Sequence, residues 1–410
     1  MKILIANTLY DPVRLGGAEV STQILAEGLA ASGIEVCVVC ATGTEGDRVA
    51  MVNGVKVYYL RLANLYWPYD QAQRSPASKI LWHAIDVHNV FMQPKLRRIV
   101  ETERPDIVNT SNLSCLSIGL WKIARDAGLK TVHTLRDYYL MCPASTMYSN
   151  GRTCEKQCSR CALYSSPKKR ASRNVDVAVG VSRFVLEKHL HSGYFSSETL
   201  TTVIHDCYMP DSGASTELRR RQPCSGGVVQ LGILGRVSPE KGIELVLEEL
   251  KRESSLNWRL SIAGVGKPHY VDGLKAASND RRIQFIGQVD ATAFLDTIDV
   301  LIVPSDWNEP FGRVTVEAYA RGVAVVGSSS GAIPEVIEPG SALVFDRSRP
   351  STLIEKIRHA VELVTRPDAH ERFVEYARRF SPEAMVHAYV ELYSAILTER
   401  TNVRDVEEIS

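Results

Sequence analysis

The stretch "LGILGRVSPEKGIELVLEEL", Leu231 to Leu250, reads as a strand, a short glycine-containing loop and a helix. The apolar strand ends at Gly235, Ser238 suits the N-cap of a helix, and Pro239 suits its first turn. Apolar residues then recur at helical spacing, at Ile243, Val246, Leu247 and Leu250. A strand that leads directly into an amphipathic helix is the unit from which parallel sheets are built.

The same unit recurs on both sides of this stretch. The first half of the chain contains the apolar runs "KILIAN", "EVCVVCAT", "PDIVNTSN", "LKTVHTLRD" and "NVDVAVGVS". The second half continues with "WRLSIAGVG", "IQFIGQVD", "DVLIVPS", "GVAVVGSS" and "ALVFD". These runs predict about six strands in each half. Between the halves, "PDSGASTELRRRQPCSGG" (210–227) has the composition of a linker.

These patterns predict an α/β chain of two Rossmann-like, doubly wound domains that face each other across a cleft. We place the N-terminal domain at 1–208 and the C-terminal domain at 226–385. We expect a C-terminal helix within 386–410 that packs back on the N-terminal domain. Because ligands bind beyond the carboxyl ends of the strands in such sheets, the sequence predicts a site in the cleft.

Charge and hydropathy exclude several classes of protein. The 410 residues carry a formal net charge of +1, whereas proteins that bind nucleic acid normally show a basic excess. The basic runs at 167–173 and 219–221 are typical of a solvated surface. No apolar run reaches the roughly 18 residues that span a bilayer, and the start of the chain lacks a signal-peptide cleavage site. We therefore expect a cytoplasmic protein with mostly reduced cysteines and no nucleic-acid partner.

Two cations follow the strand of the opening stretch. Arg236 comes directly after Gly235, and Lys241 lies in the predicted first turn of the helix. A helix N-terminus already attracts anions through its free N–H groups and its dipole, so two converging cations predict a diphosphate cradle. The alternative is a surface loop with two solvated charges.

Two carboxylates follow a second apolar strand, in "NEPFGRVTVEAYARG". Glu309 precedes Pro310, which disfavours helix at Glu309 and predicts a loop carboxylate. Glu317 lies about one and a half turns inside the following helix. Carboxylates of this kind accept hydrogen bonds from the vicinal hydroxyls of a sugar or ribose. Together with the predicted cradle, they indicate a site for a nucleoside diphosphate that carries a sugar.

With these motifs in order, the chain resembles glycosyltransferase family 4, whose members are retaining enzymes of the GT-B fold. The resemblance rests on "GRVSPEKG", "IAGVG", "FIGQV", "EPFGRVTVE" and "GAIPEVI" between residues 231 and 337, and on "GGAE" at Gly16–Glu19. It implies a hexosyltransferase-type enzyme that moves a sugar from a UDP- or GDP-sugar to a hydroxyl acceptor. It also implies a setting in bacterial surface polysaccharide or glycoconjugate biosynthesis.

The resemblance assigns roles to the residues that match its motifs. Arg236 and Lys241 would bind the diphosphate and stabilise it as it leaves, with no metal ion required. Glu309 would contact the donor sugar together with the backbone of Phe311 and Gly312. Further donor contacts are implied for the ribose, the base and the phosphates, at Glu317, at Val289 within Ile286–Val289, and at Gly16 and Gly17.

The N-terminal half departs from the family pattern in two places. A His-Asp pair is usual near residue 135, and here Arg136 stands before Asp137, which we keep as a catalytic candidate. His133, three residues earlier, reads as a core or rim histidine rather than as a substitute. The usual Asn-Gly turn before the linker appears as Asp206-Cys207. These departures put the acceptor-side chemistry in question and leave the donor side intact.

Four cysteines are clustered in one loop, with spacing C-x11-C-x3-C-x2-C at Cys142, Cys154, Cys158 and Cys161. In a cytoplasmic protein such a cluster predicts a structural zinc ion or an iron–sulfur cluster more often than disulfides. The alternative is a loop of reduced or adventitiously paired thiols.

The segment 62–98 interleaves aromatic and basic residues. The pattern favours a core-facing helix behind a loop. It leaves open an acceptor pocket or a membrane-facing helix, which a lipid-linked sugar acceptor would require. In that case the enzyme would associate peripherally with the inner face of the membrane.

Two functions other than sugar transfer stay open from the sequence. One is a sugar-nucleotide epimerase of the same fold, which would form product without an acceptor. The other is a non-catalytic sugar-nucleotide-binding protein, for which Arg136 is the supporting feature.

Overall fold

The computed structural model describes residues 1–13, 16–43, 46–70, 72–209 and 227–398. The predicted linker from 210 to 226, the basic run at 219–221 and the predicted C-terminal residues from 399 to 410 lie outside this part of the chain. The strands and helices below are numbered in chain order.

The strands fall where the short apolar runs predict them, with five additional strands in the first half. They are β1 (Lys2–Ala6), β2 (Glu35–Thr42), β3 (Arg48–Val52), β4 (Val55–Arg61), β5 (Ile107–Thr110), β6 (Lys130–Leu135), β7 (Tyr148–Ser149), β8 (Arg152–Thr153), β9 (Val177–Gly180), β10 (Leu200–Val203), β11 (Val229–Leu234), β12 (Trp258–Ala263), β13 (Ile283–Gly287), β14 (Val300–Val303), β15 (Ala324–Ser328) and β16 (Val344–Phe345). The additional strands are β3, β4, β7, β8 and β10.

The helices alternate with these strands. They are α1 (Gly17–Ala31), α2 (Pro76–Val87), α3 (Gln93–Glu103), α4 (Gly119–Asp126), α5 (Ser159–Ala171), α6 (Arg183–His191), α7 (Ile243–Arg252), α8 (Pro268–Ser278), α9 (Ala291–Leu295), α10 (Arg313–Ala320), α11 (Ile333–Val336), α12 (Thr352–Val364), α13 (Ala369–Ala377) and α14 (Pro382–Leu397). Among the described residues, no helix combines the length and the apolar composition that crossing a bilayer requires.

The chain divides into two compact units. The first comprises Met1–Met147, Cys154–Asp206 and the C-terminal segment that begins at Pro382; the second comprises Tyr148–Thr153 and Cys207–Ser381. Each unit is built on its own mainly parallel sheet covered by helices, so the α/β prediction is confirmed.

The sheet of the first unit has eight strands in the order β10-β9-β6-β5-β1-β2-β4-β3. All pairs are parallel except β3 with β4, which form a hairpin at the sheet edge. Asn53 and Gly54 form the turn of this hairpin with positive φ angles of 48° and 82°. An Asn-Gly turn of this kind matches the right-handed twist of the two strands that it joins.

The sheet of the second unit has six parallel strands in the order β13-β12-β11-β14-β15-β16. The chain adds strands on one side of β11 and then crosses to the other side with β14. This reversal between β11 and β14 is the topological switch point of a doubly wound fold. The helical stripe of the opening stretch is confirmed, because Ile243, Val246, Leu247 and Leu250 are all buried in the core of this unit.

Helix α14 packs in the first unit, chiefly against α1. Its side chains reach the central strands of that sheet through two buried polar contacts. The Asn109 Nδ2 group donates a hydrogen bond to the Tyr393 hydroxyl at 2.6 Å, and the Tyr389 hydroxyl lies 2.9 Å from Thr134 Oγ1. Helix α14 is thus fixed to the sheet by specific hydrogen bonds as well as by apolar packing.

We predict that Tyr393→Phe lowers the free energy of unfolding by about 1–3 kcal/mol, because it leaves the buried Asn109 amide without this acceptor. Urea denaturation followed by circular dichroism measures the change. Tyr164→Phe is the matched control, since the contact of Tyr164 with His83 is made by its ring. Equal stabilities of the two variants would contradict the prediction.

Candidate active site

Most of the predicted donor residues lie at the carboxyl edge of the second sheet. Two loops begin there on either side of the switch point, one after β11 (235–242) and one after β14 (304–312). At such a point adjacent loops diverge and leave a crevice for a ligand.

The loop after β11 brings Lys241 towards the end of β14. Ser238 is the N-cap of a short 3-10 turn at Pro239–Lys241, and helix α7 begins only at Ile243. The sequence predicted one continuous helix from Pro239. The difference arises at Gly242, which adopts a left-handed conformation with φ of 67°. A Cβ atom at this position would lie 2.3 Å from the Pro304 carbonyl oxygen, so the two loops meet here at a distance that only glycine allows.

The ammonium of Lys241 contacts the carboxylate of Glu309 directly. Glu309 Oε1 lies 2.5 Å from Lys241 Nζ and 2.7 Å from the Ser305 hydroxyl. The Glu309 side chain is nearly buried, and the Lys241 side chain is 22% exposed. The ring of Trp307 also lies 5.4 Å from the Lys241 ammonium. The structure therefore joins one predicted cation and one predicted carboxylate at the switch point.

The motif "GAIPEVI" holds the backbone of Glu309. Gly331 has a φ of 61°, and a Cβ atom there would lie 2.4 Å from the Glu309 nitrogen. The next residue, Ala332, donates its N–H to the Glu309 carbonyl at 2.9 Å. The physical role of this motif, which the sequence did not predict, is to let two backbone segments come into contact.

Arg236 differs from its prediction. Its side chain is 64% exposed, and its guanidinium lies 3.6 Å from the Glu240 carboxylate. The expected convergence of Arg236 with Lys241 is therefore not present in this structure. The physical reason is that Lys241 is drawn to Glu309 while Arg236 pairs with the neighbouring acid on its own loop.

Glu317 lies on helix α10, which begins after Gly312. Its carboxylate accepts a hydrogen bond from Arg313 at 3.0 Å, and the Arg313 Nε donates to the Cys207 carbonyl at 3.1 Å. Phe311 is buried and packs edge-on against Phe380 at 5.8 Å, so its side chain belongs to the core. Its backbone and that of Gly312 remain at the start of α10, as the predicted roles require.

The predicted base contacts lie at the end of the edge strand β13. The side chains of Ile286 and Val289 are both exposed there. The preceding loop is held closely, since Gly264 N–H donates to the Gly287 carbonyl at 2.7 Å. The strand edge thus offers backbone and apolar surface rather than charged groups.

Sequence reasoning missed two charged residues at this edge of the sheet. Arg347, which follows β16, lies 3.0 Å from the Asp306 carboxylate on the loop after β14. The hairpin β7–β8 joins the same cluster, because the Thr153 hydroxyl donates to the Asp306 carbonyl at 2.7 Å. The local sequence does not predict these contacts, because Arg347 and Thr153 are both distant from Asp306 along the chain.

In the first unit, Asp137 lies at the corresponding edge, beyond β6. Its carboxylate accepts hydrogen bonds from the Asn112 amide at 2.5 Å and from the Tyr139 N–H at 2.7 Å. The Thr8 hydroxyl donates to Asn112 Oδ1 at 2.9 Å, so the polar chain crosses from β6 to β1. Burial raises the pKa of Asp137 to about 6, and the two hydrogen bonds limit this rise.

The side chain of Arg136 does not join the hydrogen-bonded residues around Asp137 and instead lies in the core. Its side chain is buried and forms an ion pair with the equally buried Asp206. His133 is buried as well, with Nδ1 2.8 Å from the Thr110 hydroxyl and its ring edge-on to Trp121. The prediction of a core histidine is confirmed.

Gly16 and Gly17 form the start of helix α1, with Gly16 as an exposed N-cap in extended conformation. Glu19 lies in the first turn of this helix. The two glycines therefore occupy a helix N-terminus, and their contact with the donor phosphates stays a prediction.

The basic run at 167–173 is not uniformly solvated. Lys168 is buried, donates to the Tyr139 carbonyl at 2.7 Å, and lies 3.3 Å from the centre of the Tyr139 ring. Burial lowers the pKa of Lys168 to about 8, although the nearby carboxylates of Asp86 and Asp137 act in the opposite direction. The other cations of the run are exposed, as predicted.

The four clustered cysteines lie in the first unit, near the start of α5. The sulfur atoms of Cys142 and Cys161 are 4.0 Å apart. Cys158 caps α5, and the N–H of Cys161, 3.4 Å from its sulfur, lowers the pKa of the Cys158 thiol. Among the described residues, no three His, Cys, Asp or Glu side chains are grouped closely enough to hold a metal ion together. The predicted four-cysteine site is therefore not assembled in this structure.

Comparison with known proteins agrees with this geometry. Residues 215–380 match the model of the glycosyl transferases group 1, and residues 16–205 match that of a glycosyl transferase 4-like domain. An uncharacterized 42.6 kDa protein of the cps region of Klebsiella pneumoniae is 35% identical over 340 residues, which cover 82% of this chain and 87% of that protein. The O-antigen biosynthesis glycosyltransferase WclY of Escherichia coli is 28% identical over 170 residues, 41% of this chain and 47% of that protein.

Solved structures of similar fold cover almost the whole chain. Sucrose-phosphate synthase from Thermosynechococcus elongatus superposes with a TM-score of 0.70 at 18% identity, over 97% of this chain and 99% of that one. Anabaena HepE in complex with UDP superposes with a TM-score of 0.63 at 16% identity, over 96% of this chain and all of that one. The chain belongs to the group 1 glycosyltransferases, family 4, and has the GT-B fold.

The four-cysteine metal site stays a prediction. We expect elemental analysis of the purified protein to find about one zinc ion, or the iron of one cluster, per chain. Cys158→Ser should release it, because the variant removes one thiolate ligand, whereas Cys40→Ser on β2 should retain it. Wild-type protein purified without chelators and free of both metals would remove the hypothesis.

Proposed function

We propose that this glycosyltransferase is a retaining enzyme that takes a sugar from a nucleoside diphosphate and transfers it to a hydroxyl acceptor. The observation that carries the proposal is the contact between Lys241 and Glu309 at the switch point of the second sheet. A cation suited to a departing diphosphate and a carboxylate suited to sugar hydroxyls lie side by side there. Further support comes from Anabaena HepE, a protein of the same fold that was solved with UDP and with UDP-glucose.

The proposed reaction breaks the bond between the anomeric carbon and the diphosphate oxygen. Negative charge develops on the diphosphate as it leaves, and fixed positive charge lowers the free energy of that state. Lys241 supplies this charge from a position that is already held. Arg236, which is exposed, turns from Glu240 to the second phosphate when the donor binds. These two cations make a metal ion unnecessary for the step.

The remaining donor contacts follow from the same edge of the sheet. The contacts of the Glu309 carboxylate with Lys241 and Ser305 are both made by Oε1, and we assign Oε2 to hydroxyls of the donor sugar. The Glu317 carboxylate, which already accepts a hydrogen bond from Arg313, also accepts hydrogen bonds from the ribose hydroxyls. The base lies against the exposed strand edge at Val289. The acceptor oxygen then bonds to the anomeric carbon from the face that the diphosphate leaves, and its proton passes to a phosphate oxygen.

The polar chain around Asp137 is the proposed site for the acceptor hydroxyl. Relatives from the cps region of Klebsiella and from O-antigen biosynthesis in Escherichia coli support a role in surface polysaccharide assembly. We therefore propose a sugar hydroxyl, free or lipid-linked, as the acceptor.

A donor screen tests the proposal. Release of nucleoside diphosphate is measured with UDP- and GDP-sugars, with and without acceptor extracts of capsulated bacteria, in buffer that contains EDTA. We expect release that depends on acceptor and persists in EDTA, with the configuration of the anomeric carbon retained. A changed sugar in the absence of acceptor would indicate an epimerase, and tight donor binding without any turnover would indicate a binding protein.

We predict that Lys241→Ala lowers kcat about 100- to 1,000-fold, as expected for loss of a fixed group that stabilises developing charge. Glu309→Gln should lower it to a similar extent, because the amide disrupts the contact with Lys241. Lys275→Ala, an exposed lysine of the same unit, is the matched control. Circular dichroism checks that each variant is folded, and near-normal rates in Lys241→Ala would refute the assignment.

We predict an acid limb in the pH profile of kcat/KM for the acceptor. The pKa of Asp137 is raised to about 6, so below that pH its carboxyl is protonated, loses its negative charge and becomes a weaker hydrogen-bond acceptor for the acceptor hydroxyl. Activity should therefore rise as the pH increases through about 6. Asp137→Asn should lower kcat/KM about 10- to 100-fold, as for loss of a charged hydrogen bond, and should remove the limb. Persistence of the limb in this variant would assign it to another group, such as Asp86.

A further inference from the structure

Helix α2 of the first unit exposes an apolar face. Trp82 and Asp86 are buried on its inner side, whereas Ile80 is 55% and Leu81 52% exposed. Ala77 and Ala84 are exposed as well, at the spacing of three to four residues that places them with Ile80 and Leu81 on one side of the helix. Surface helices of soluble proteins normally show the reverse arrangement, with polar residues outward.

The apolar surface continues beyond α2. Val90 and Phe91 follow the helix directly and are exposed, Phe91 to 64%. Helix α5 packs beside α2, where the rings of His83 and Tyr164 lie 6.4 Å apart. Next to Tyr164, Leu163 is 75% exposed. We call the surface formed by Ile80, Leu81, Val90, Phe91 and Leu163 the α2–α5 surface. Exposed apolar groups in such number mark an interaction site rather than scattered exposure.

Basic residues accompany this surface although the whole chain is nearly neutral. From residue 72 to 100 the sequence has five Lys and Arg residues and a single acid, Asp86, which is buried. From residue 156 to 174 it has six Lys and Arg residues and no acid. Arg74 and Lys95 are paired with Asp70 and Asp47. The exposed cations on or beside the two helices are Lys79, Lys156, Arg160, Lys169, Arg170 and Arg173.

We propose that the first unit docks on an anionic membrane surface through the α2–α5 surface. Apolar side chains on an interfacial helix enter the boundary between headgroups and acyl chains, and adjacent Lys and Arg residues are attracted to anionic lipids. Helix α2, with 12 residues, spans about 18 Å and lies in the plane of the membrane rather than across it.

The charge pattern favours a membrane over a second copy of the chain. A symmetric pair of α2–α5 surfaces would bring like charges together, because a two-fold interface uses the same surface patch on both partners. An anionic bilayer instead satisfies both features of the surface, its apolar centre and its cations. The proposal goes beyond the proposed sugar transfer, because it requires no donor or acceptor.

Vesicle co-sedimentation of the full chain tests the proposal. The probes are vesicles of phosphatidylcholine alone and vesicles that also contain phosphatidylglycerol. We expect wild-type protein to bind the anionic vesicles, to bind the neutral ones at least tenfold more weakly, and to be released by salt. Each basic residue near an anionic surface contributes about fivefold in affinity. The affinity of the double variant Lys169→Glu with Arg170→Glu for anionic vesicles should therefore be at least 25-fold lower than that of wild-type protein.

Matched variants separate the apolar and the charged contributions. Leu81→Ser with Phe91→Ser should lower binding to anionic vesicles at least tenfold while the protein stays folded, because both side chains are exposed. Val49→Thr with Met51→Thr on the exposed side of β3, and Lys251→Glu with Lys275→Glu in the second unit, are the apolar and charge controls and should bind normally. Diphosphate release with a water-soluble acceptor should be unchanged in all four, so failure here is distinguishable from failure of the proposed reaction.

Three outcomes would overturn the proposal. The first is that wild-type protein fails to bind anionic vesicles. The second is that the variants Leu81→Ser with Phe91→Ser and Lys169→Glu with Arg170→Glu both bind as tightly as wild-type protein. The third is that wild-type protein forms a dimer in lipid-free sedimentation velocity runs that Leu81→Ser with Phe91→Ser dissociates, which would assign the surface to a second copy of the chain.

Discussion

The contact between Lys241 and Glu309 determines how the loops at the carboxyl edge of the second sheet are arranged. An ion pair this close to the core adds little net stability, because the cost of desolvating both charges offsets their attraction. The fold nevertheless commits several features to it. Gly242 allows the loop of Lys241 to touch the end of β14, Gly331 allows a third loop to touch the backbone of Glu309, and Ser305 supplies a further hydrogen bond to the carboxylate. Such an arrangement is expected if both charged groups bind a ligand, because the two charges neutralise each other when no ligand is bound.

The two cations of this site differ in how far they are organised in advance. Lys241 is largely enclosed and already held, whereas Arg236 is mostly in solvent and paired with Glu240 on its own loop. A group that is fixed before the reaction costs no reorganisation when charge develops, so Lys241 is the stronger candidate for stabilising the departing diphosphate. In the proposed reaction Arg236 would exchange its surface pair with Glu240 for the diphosphate, and exposed pairs of this kind contribute little free energy. Under that proposal the same loop would combine one contact that exists before binding with one that forms on binding.

The sequence predicted what depends on local pattern and missed what depends on distant partners. The parallel strands and the buried stripe of α7 follow from apolar runs and spacing, and both are present. The predicted cap at Ser238 differs, because Ser238 precedes only a short 3-10 turn and makes no side-chain capping hydrogen bond. The hairpin at Asn53-Gly54 was not among the predicted elements, although an Asn-Gly pair is a local turn signal. The close approach at Gly331, the ion pair of Arg347 with Asp306 and the burial of Lys168 had no such signal, because each requires a partner at least 22 residues away. The left-handed Gly242 interrupts the predicted helix. Its conformation is explained by the close approach of the Pro304 carbonyl, which the local sequence does not indicate.

The two departures from the family pattern in the first unit are partners of each other. Arg136 stands where a histidine is usual and Asp206 where an asparagine is usual, and the structure joins them as a buried ion pair. A buried guanidinium without a carboxylate would be strongly destabilising, and so would the carboxylate without the guanidinium. Either substitution alone would therefore be costly, and the two together are compatible with the fold. Arg136 is thus explained by its buried ion pair with Asp206 rather than by a lost catalytic function. The feature that had supported a non-catalytic protein no longer does so, while Asp137 keeps its position in the polar chain at the edge of the sheet.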